Sequence, residues 1–197
     1  MSRSSPSCPP ASATTLSADP WSAARQSFLA LLPAGAHLLE AGCGEGDDLC
    51  FFRQQGLVVT ALDARLAQAR VASQRSGQPV RVCRIEQLRS VVPYDGIWAR
   101  GALPAIAPDE LSDALAHLAS LLKPAGVLYC AFPHPSGQLA ATGSTPGAPS
   151  AEAHLSLTRL EENGLRQLIA PLSLQLQRCW ESEQADGRWL HALLIRA

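Results

Sequence analysis

Three glycines, Gly42, Gly44 and Gly46, alternate directly after an apolar run that ends in Glu40-Ala41, and two aspartates follow the last glycine. This order predicts a β-strand, then a tight turn, then the N-terminus of a helix. Glycine suits such a turn because it adopts left-handed backbone conformations and lets a ligand approach the main chain. The pattern therefore predicts a turn that contacts a nucleotide-like cofactor.

A second apolar run, residues 57–62, is followed by Asp63. A carboxylate at the end of the second strand can accept hydrogen bonds from two ribose hydroxyls. The glycine turn alone is a weak signal, because such turns also occur for packing reasons. Together, the turn and Asp63 predict a site for an adenosine-containing cofactor.

The residues after the third glycine argue against a dinucleotide. The dinucleotide fingerprint G-x-G-x-x-G has its last glycine where this chain has Asp47, and its helix N-terminus faces a pyrophosphate. Asp47 and Asp48 suit the positive end of a helix dipole, but they would repel a pyrophosphate. A cofactor that lacks phosphate and carries cationic groups fits this turn better.

Apolar periodicity and turn residues predict strands and helices in alternation, which is typical of a parallel, doubly wound α/β sheet. The predicted strands are 36–41, 57–62, 80–84, 94–99 and 126–132, and the predicted helices are 20–32, 47–55, 64–76 and one that starts at Pro108. Thr158 and Glu161 have the spacing of a capping box for a last helix, 158–170. The final apolar stretches, 172–182 and 188–196, predict an antiparallel hairpin.

Length and composition predict a single domain. The chain has 197 residues, of which 47% are hydrophobic and 17% charged, and its formal net charge is −1. Without a stripe of Lys or Arg, nucleic-acid and membrane partners are not expected. We expect residues 1–19 to be a disordered tail, 20–197 to be the domain, and 133–153 to be a mobile loop.

The six cysteines show no C-x-x-C pairing, so neither a disulfide framework nor a metal site is expected. The N-terminus has no apolar stretch of signal-peptide length, and no stretch approaches a membrane span. We therefore expect a cytoplasmic protein. The sequence leaves the oligomeric state open.

With these motifs in place, residues 20–197 resemble a small bacterial class I S-adenosylmethionine-dependent methyltransferase of the tellurite-resistance or thiopurine-like type. The resemblance rests on five stretches, which are 39–48, 61–63, 94–99, 122–129 and 188–194. It implies a Rossmann-like, mostly parallel seven-stranded sheet with a C-terminal antiparallel hairpin. It also implies S-adenosylmethionine as cofactor and methyl transfer to a small-molecule acceptor, whose identity the motifs do not specify.

The resemblance also implies roles for the residues of the first two motifs. Gly42 and Gly44 would let the backbone pack against the methionine and ribose parts of the cofactor, with Gly46 completing the turn. Glu40 would order the turn and reach the cofactor's amino group. Asp63 would accept the two ribose hydroxyls in a charge-assisted pair.

Further residues are implied at the adenine and methionine ends. Ala64 and Arg65 would border the adenine, Ile85 would pack on its ring, and Glu86 would lie near its amine. Arg100, just past the fourth strand, would line the methionine end through its backbone.

The chain departs from the family pattern on the acceptor side. Residues 101–106 contain no serine or histidine, whereas many relatives have Ser-Leu-Leu-His after this strand. After the fifth strand, Pro133-His134-Pro135 replaces a common polar residue. An alternative function is therefore a cofactor-binding module that has lost catalysis, and a nicotinamide-dependent reductase is a third, disfavoured hypothesis.

Several residues keep two interpretations. His134 is either a base for the acceptor or a simple loop histidine. Asp48 either contacts the cofactor's ammonium group or is an ordinary acid of a first helical turn. Arg25 either pairs with the methionine carboxylate or is a surface arginine, and Trp21 is either a lid over the cofactor or a core residue.

Overall fold

A single sheet organises the part of the chain that the computed structural model describes, namely residues 19, 21–136 and 157–197. Its seven strands in the described residues are β1 (His37–Ala41), β2 (Val58–Asp63), β3 (Arg81–Val82), β4 (Tyr94–Ala99), β5 (Leu122–Pro133), β6 (Leu174–Gln184) and β7 (Gly187–Arg196). Their order across the sheet is β3-β2-β1-β4-β5-β7-β6.

The first five strands run parallel, whereas β7 is antiparallel to β5 and β6 is antiparallel to β7. This confirms the predicted fold class, a doubly wound, mostly parallel sheet that ends in an antiparallel hairpin. The strand order reverses between β1 and β4. In open α/β sheets a ligand crevice forms at such a switch point, beyond the carboxyl ends of the strands.

Helices cover both faces of the sheet. In the described residues they are α1 (Ser22–Leu29), α2 (Asp47–Gln54), α3 (Leu66–Ser76), α4 (Leu111–Leu121) and α5 (Glu162–Ile169). The first three pack in one apolar cluster with alternate residues of the central strands, including Trp98 and Tyr129. The last two pack in a second cluster, against Ile97 and Leu128 on the opposite face. Burial on both faces explains why β4 and β5 are almost uniformly apolar.

Several element boundaries differ from the predictions. The third strand pairs only over Arg81–Val82, and α4 begins at Leu111 rather than at Pro108. The fifth strand begins at Leu122, before the predicted start at residue 126. Local turn signals therefore located these elements but not their ends.

The predicted capping box at Thr158 is wrong. The last helix begins at Glu162, and its N-cap residue, Glu161, makes no side-chain capping bond. The hydroxyl of Thr158 instead donates to the carbonyl of Ile106 at 2.6 Å, and its backbone N–H donates to the carbonyl of Pro104 at 2.7 Å. Thr158 thus joins the segment before α5 to the segment after β4.

Within residues 19, 21–136 and 157–197, no helix is long and apolar enough to cross a membrane. Two predictions fall largely outside the described residues. These are the disordered tail, of which only residue 19 is described, and the mobile loop 133–153, which is described only up to residue 136.

A buried histidine joins the hairpin to the rest of the sheet. His191 of β7 is 1% exposed, and its Nδ1 lies 2.8 Å from the hydroxyl of Tyr129 in β5. Its Nε2 lies 2.7 Å from the hydroxyl of Ser182 in β6, and the ring of Trp180 stacks on it at 5.0 Å. Burial lowers the pKa of His191 to about 4, so the ring is neutral at physiological pH.

This burial makes stability depend on pH. Between pH 6.5 and about 4, the unfolded chain protonates His191 while the folded protein does not, so stability falls as pH falls. From pH 7 to pH 5, we expect wild type to lose on the order of 2 kcal/mol more unfolding free energy than His191→Gln. Urea denaturation of both proteins at the two pH values measures this, and equal losses would contradict it.

Candidate cofactor site

The glycine turn between β1 and α2 is tied to the end of β2. The backbone N–H groups of Gly42 and Cys43 both donate to the carbonyl of Leu62 at 2.9 Å. Asp63, the next residue, lies at the same edge and is only 3% exposed. Its Oδ2 accepts the N–H of Gly44 at 2.9 Å, so the acid and the turn meet as the sequence predicted.

Two glycines of the turn are needed because neighbouring chain lies against them. A Cβ on Gly42, whose φ is +78°, would lie 2.6 Å from the Cβ of Ala102. A Cβ on Gly46 would lie 3.0 Å from the Cα of Ala72 in α3. In the dinucleotide fingerprint the third glycine, which would be at position 47, allows close helix packing. In this chain Gly46, the residue before it, allows that close packing.

Gly44 differs from Gly42 and Gly46 because a Cβ there would meet no atom of the described residues within 4 Å. Its N–H is already bound to Asp63, and its φ is +54°. The open space beside Gly44 is where a ligand can approach the backbone.

Glu40 is a buried acid with an unsatisfied oxygen. The residue is 2% exposed, and its Oε2 has no hydrogen-bond partner among the described residues. Burial, reinforced by the neighbouring Asp48 carboxylate, raises the pKa of Glu40 well above its ordinary value. A buried acceptor without a donor is costly, so Glu40 is suited to receive a cationic or N–H group from a ligand.

Asp48 lies at the centre of a charged cluster that the sequence did not reveal. Its Oδ1 accepts the Nε–H of Arg25 at 2.6 Å. Its Oδ2 accepts the indole N–H of Trp98 at 2.9 Å and lies 2.9 Å from Nε of Arg100. The Asp48 side chain is 3% exposed, so it is a structural centre that joins α1, α2 and β4 rather than a simple acid of a first helical turn.

The interpretation of Arg25 as a surface residue is wrong, because its side chain is only 10% exposed and is ion-paired with Asp48 and Asp19. Arg100 also departs from expectation, since its side chain and not only its backbone enters the site. Its guanidinium lies over the ring of Trp21, 5.0 Å from the centroid. Trp21 in turn packs edge-on against Trp189 at 5.3 Å, and is half-buried between the site and the core.

The structure places the predicted adenine-end residues around the same strand edge. Ile85 lies in a short 3₁₀ helix after β3 and packs in the apolar cluster that contains Ala41 and Ala99. Glu86 is partly exposed with Arg84 Nε 3.4 Å away, and Ala64 is exposed beside Asp63. Their contacts with an adenine stay predictions.

The apolar segment after β4 has a packing role. Leu103 and Ile106 are buried in the main apolar cluster, and Ala102 contacts the glycine turn through Gly42. The absence of serine and histidine from 101–106 therefore reflects a segment that closes the core beneath the turn.

His134 is held by the hairpin. Its N–H donates to the carbonyl of Arg188 at 2.8 Å, its Nε2 lies 3.5 Å from Glu181, and its Nδ1 lies 2.7 Å from the hydroxyl of Ser136. These contacts give His134 a structural role, which favours the simple loop histidine over a base.

The described residues hold no group of three or more His, Cys, Asp or Glu side chains placed to bind a metal. Cys43, in the turn, is a free thiol, and burial raises its pKa. A protonated thiol is a poor nucleophile, so Cys43 acts here as a small apolar residue.

A methyltransferase domain family model matches residues 17–175, and the chain therefore belongs to the methyltransferase domain family. A curated relative, the malonyl-[acyl-carrier protein] O-methyltransferase of Enterobacter lignolyticus (strain SCF1), is 35% identical over 108 residues. That match covers 52% of this chain and 41% of the relative, so the chain spans less than half of the relative's length.

Solved structures share the fold. The Burkholderia thailandensis 1,6-didemethyltoxoflavin-N1-methyltransferase, with bound 1,6-didemethyltoxoflavin and S-adenosylhomocysteine, superposes with a TM-score of 0.71 at 24% identity, covering 91% of this chain and 79% of that one. A TehB-like S-adenosylmethionine-dependent methyltransferase from Corynebacterium glutamicum superposes with a TM-score of 0.66 at 20% identity, covering 87% and 86%. The family model confirms the predicted methyltransferase class, and these superpositions confirm the predicted fold.

Replacing Glu40 and Asp48 by their neutral amides should change the unfolding free energy of the protein in opposite directions. Because the folded state raises the pKa of Glu40, the folded protein loses stability as pH rises from the ordinary pKa of a glutamate towards the raised one. We expect Glu40→Gln to raise the unfolding free energy of the ligand-free protein by about 1–3 kcal/mol at pH 8.

Asp48→Asn is the matched control, since it removes a carboxylate that three side-chain donors satisfy. It should lower the unfolding free energy at the same pH. Chemical denaturation measures both variants, and a destabilised Glu40→Gln protein would contradict the assignment of an unsatisfied acid.

Proposed function

We propose that this chain transfers the methyl group of S-adenosylmethionine to a small-molecule acceptor. The observation that carries the proposal is the pair of buried carboxylates on neighbouring strands, one on each side of the glycine turn. One oxygen of Glu40 has no hydrogen-bond partner in the part of the chain that the structure describes, and Asp63 holds the turn through Gly44. A ligand with a ribose at one end and a cation at the other satisfies both acids.

The strand register supports a single ligand that spans the two acids. Glu40 of β1 pairs with Ala61 of β2, two residues before Asp63, so both acids point to the same face of the sheet. Strand spacing and rise place their Cα atoms roughly 8 Å apart. A nucleoside joined to an amino acid is long enough to reach both.

The charges of the site fit the zwitterionic methionine end of the cofactor. Glu40 would receive the ammonium group, and its burial makes this interaction strong. Arg25 and Arg100, which Asp48 holds in place, supply N–H donors for the carboxylate. Gly44 would approach the ribose, and Gly42 and Gly46 would keep the turn close-packed behind it.

The bound cofactor would supply an electrophilic methyl group for in-line displacement by the acceptor. The chain's own residues would position the two reactants and exclude water, as this displacement requires. The half-buried Trp21 would offer aromatic surface to the acceptor, and His134 is held by the hairpin. Such a site suits acceptors that react without a protein base, such as soft thiols and metalloid oxyanions.

Cofactor binding tests the first half of the proposal. By calorimetry, we expect S-adenosylhomocysteine to bind and NAD to bind at least tenfold more weakly. Asp63→Ala should cost about 1–3 kcal/mol of S-adenosylhomocysteine binding, because a charged hydrogen-bond partner of the ribose is lost. Unchanged affinity in Asp63→Ala, with a folded protein by circular dichroism, would contradict the ribose assignment.

Turnover tests the second half. We expect S-adenosylhomocysteine release with at least one member of a panel of thiols, metalloid oxyanions, phenols and a malonyl thioester. The thioester is included because the curated relative is a malonyl-[acyl-carrier protein] O-methyltransferase. Tight cofactor binding without turnover of any acceptor in the panel would favour the alternative function, a cofactor-binding module without catalysis. The apolar 101–106 segment is the observation that suggests this alternative. The cytoplasmic location stays a prediction.

A further inference from the structure

Arg65 occupies the carboxylate that the ribose would use. The residue lies at the start of α3, and its Nε and Nη2 are 3.2 Å and 3.4 Å from Oδ1 and Oδ2 of Asp63. The guanidinium therefore faces both oxygens of the acid at once, as the two hydroxyls of a ribose would.

Asp63 has no spare capacity in this arrangement. Its two oxygens accept the backbone N–H of Gly44 at 2.9 Å and the backbone N–H of Arg65 at 2.8 Å. With the two guanidinium donors added, all four lone-pair sites of the carboxylate are engaged. Two further donors from a ligand can bind only if two of these donors leave.

The backbone donors cannot leave without unfolding the turn or the start of α3. The guanidinium can, because the Arg65 side chain is 59% exposed, whereas the Asp63 side chain is 4% exposed. An ion pair with one exposed partner is weak and opens readily in water.

We propose that Arg65 competes with the vicinal diol of the cofactor's ribose for Asp63, so that the site binds only when the guanidinium has swung away. The proposal rests on the proposed function, because it takes Asp63 as the ribose acceptor. If the Arg65–Asp63 ion pair is formed about three to five times as often as it is open, the apparent affinity for the cofactor falls by about four- to sixfold. The contact thus sets how tightly the chain holds its cofactor and product.

The test is the affinity of Arg65→Ala for S-adenosylhomocysteine and for adenosine by calorimetry at low salt. Both ligands carry the diol, so both should bind about four- to sixfold more tightly than to wild type. The gain should shrink as salt rises, because salt screens the exposed ion pair of the wild type. Arg65→Lys, which keeps the charge without the planar fork, should give a smaller gain.

Two controls isolate the contact. Arg70→Ala removes another exposed arginine of α3 and should leave affinity within twofold of wild type. In an Asp63→Ala background, Arg65→Ala should no longer tighten binding, because the competed group is gone. Circular dichroism and thermal denaturation report whether each variant is folded.

Unchanged or weaker binding by folded Arg65→Ala would overturn the inference, and weaker binding would instead mean that Arg65 contacts the ligand. If wild type binds adenosine but not S-adenosylhomocysteine, the proposed function fails while the adenosine comparison still decides the role of Arg65. Binding of neither ligand by wild type and Arg65→Ala would overturn both.

Discussion

The carboxyl end of β2 anchors the whole site. The carbonyl of Leu62 binds two backbone N–H groups of the glycine turn, and the Asp63 carboxylate binds a third at Gly44. These three bonds fix the turn between β1 and α2 against the neighbouring strand. The conformation of the turn, the start of α2 and the open space beside Gly44 all depend on them.

A second constraint is the neutralisation of Asp48. A buried carboxylate is tolerated only when donors satisfy it, and three side chains do so, one each from α1, β4 and the residue just after β4. The stacking of Trp98 on Tyr129 at 3.8 Å extends this contact to β5, and Tyr129 in turn contacts His191 of the hairpin. Glu40, close to this satisfied acid, is left with an oxygen that no described residue satisfies. The buried Glu40 thus destabilises the ligand-free protein at the point where a cationic group of a ligand would relieve that destabilisation.

Much of the fold followed from local patterns. Apolar runs located the strands, and the terminal hairpin was evident because its two stretches flank a polar, glycine-containing turn. Prediction failed where a local signal was overridden by a contact distant in sequence. Thr158 has the spacing of a capping box, yet its hydroxyl bonds Ile106, 52 residues earlier in the chain. Pairing across the sheet likewise extended β5 back to Leu122, beyond its apolar core.

The candidate site, like the fold, was only partly predictable from local sequence patterns. The sequence by itself determined the glycine turn and the acids Glu40 and Asp63, because strand–turn–helix spacing brings these groups to one edge of any parallel sheet. Only the tertiary structure decided that Arg25 and Trp98 would meet Asp48, from 23 and 50 residues away, and that Arg65 would cover Asp63. The reason is physical, since residue spacing fixes where a backbone goes, whereas the docking of helices on the sheet decides which charges are buried together.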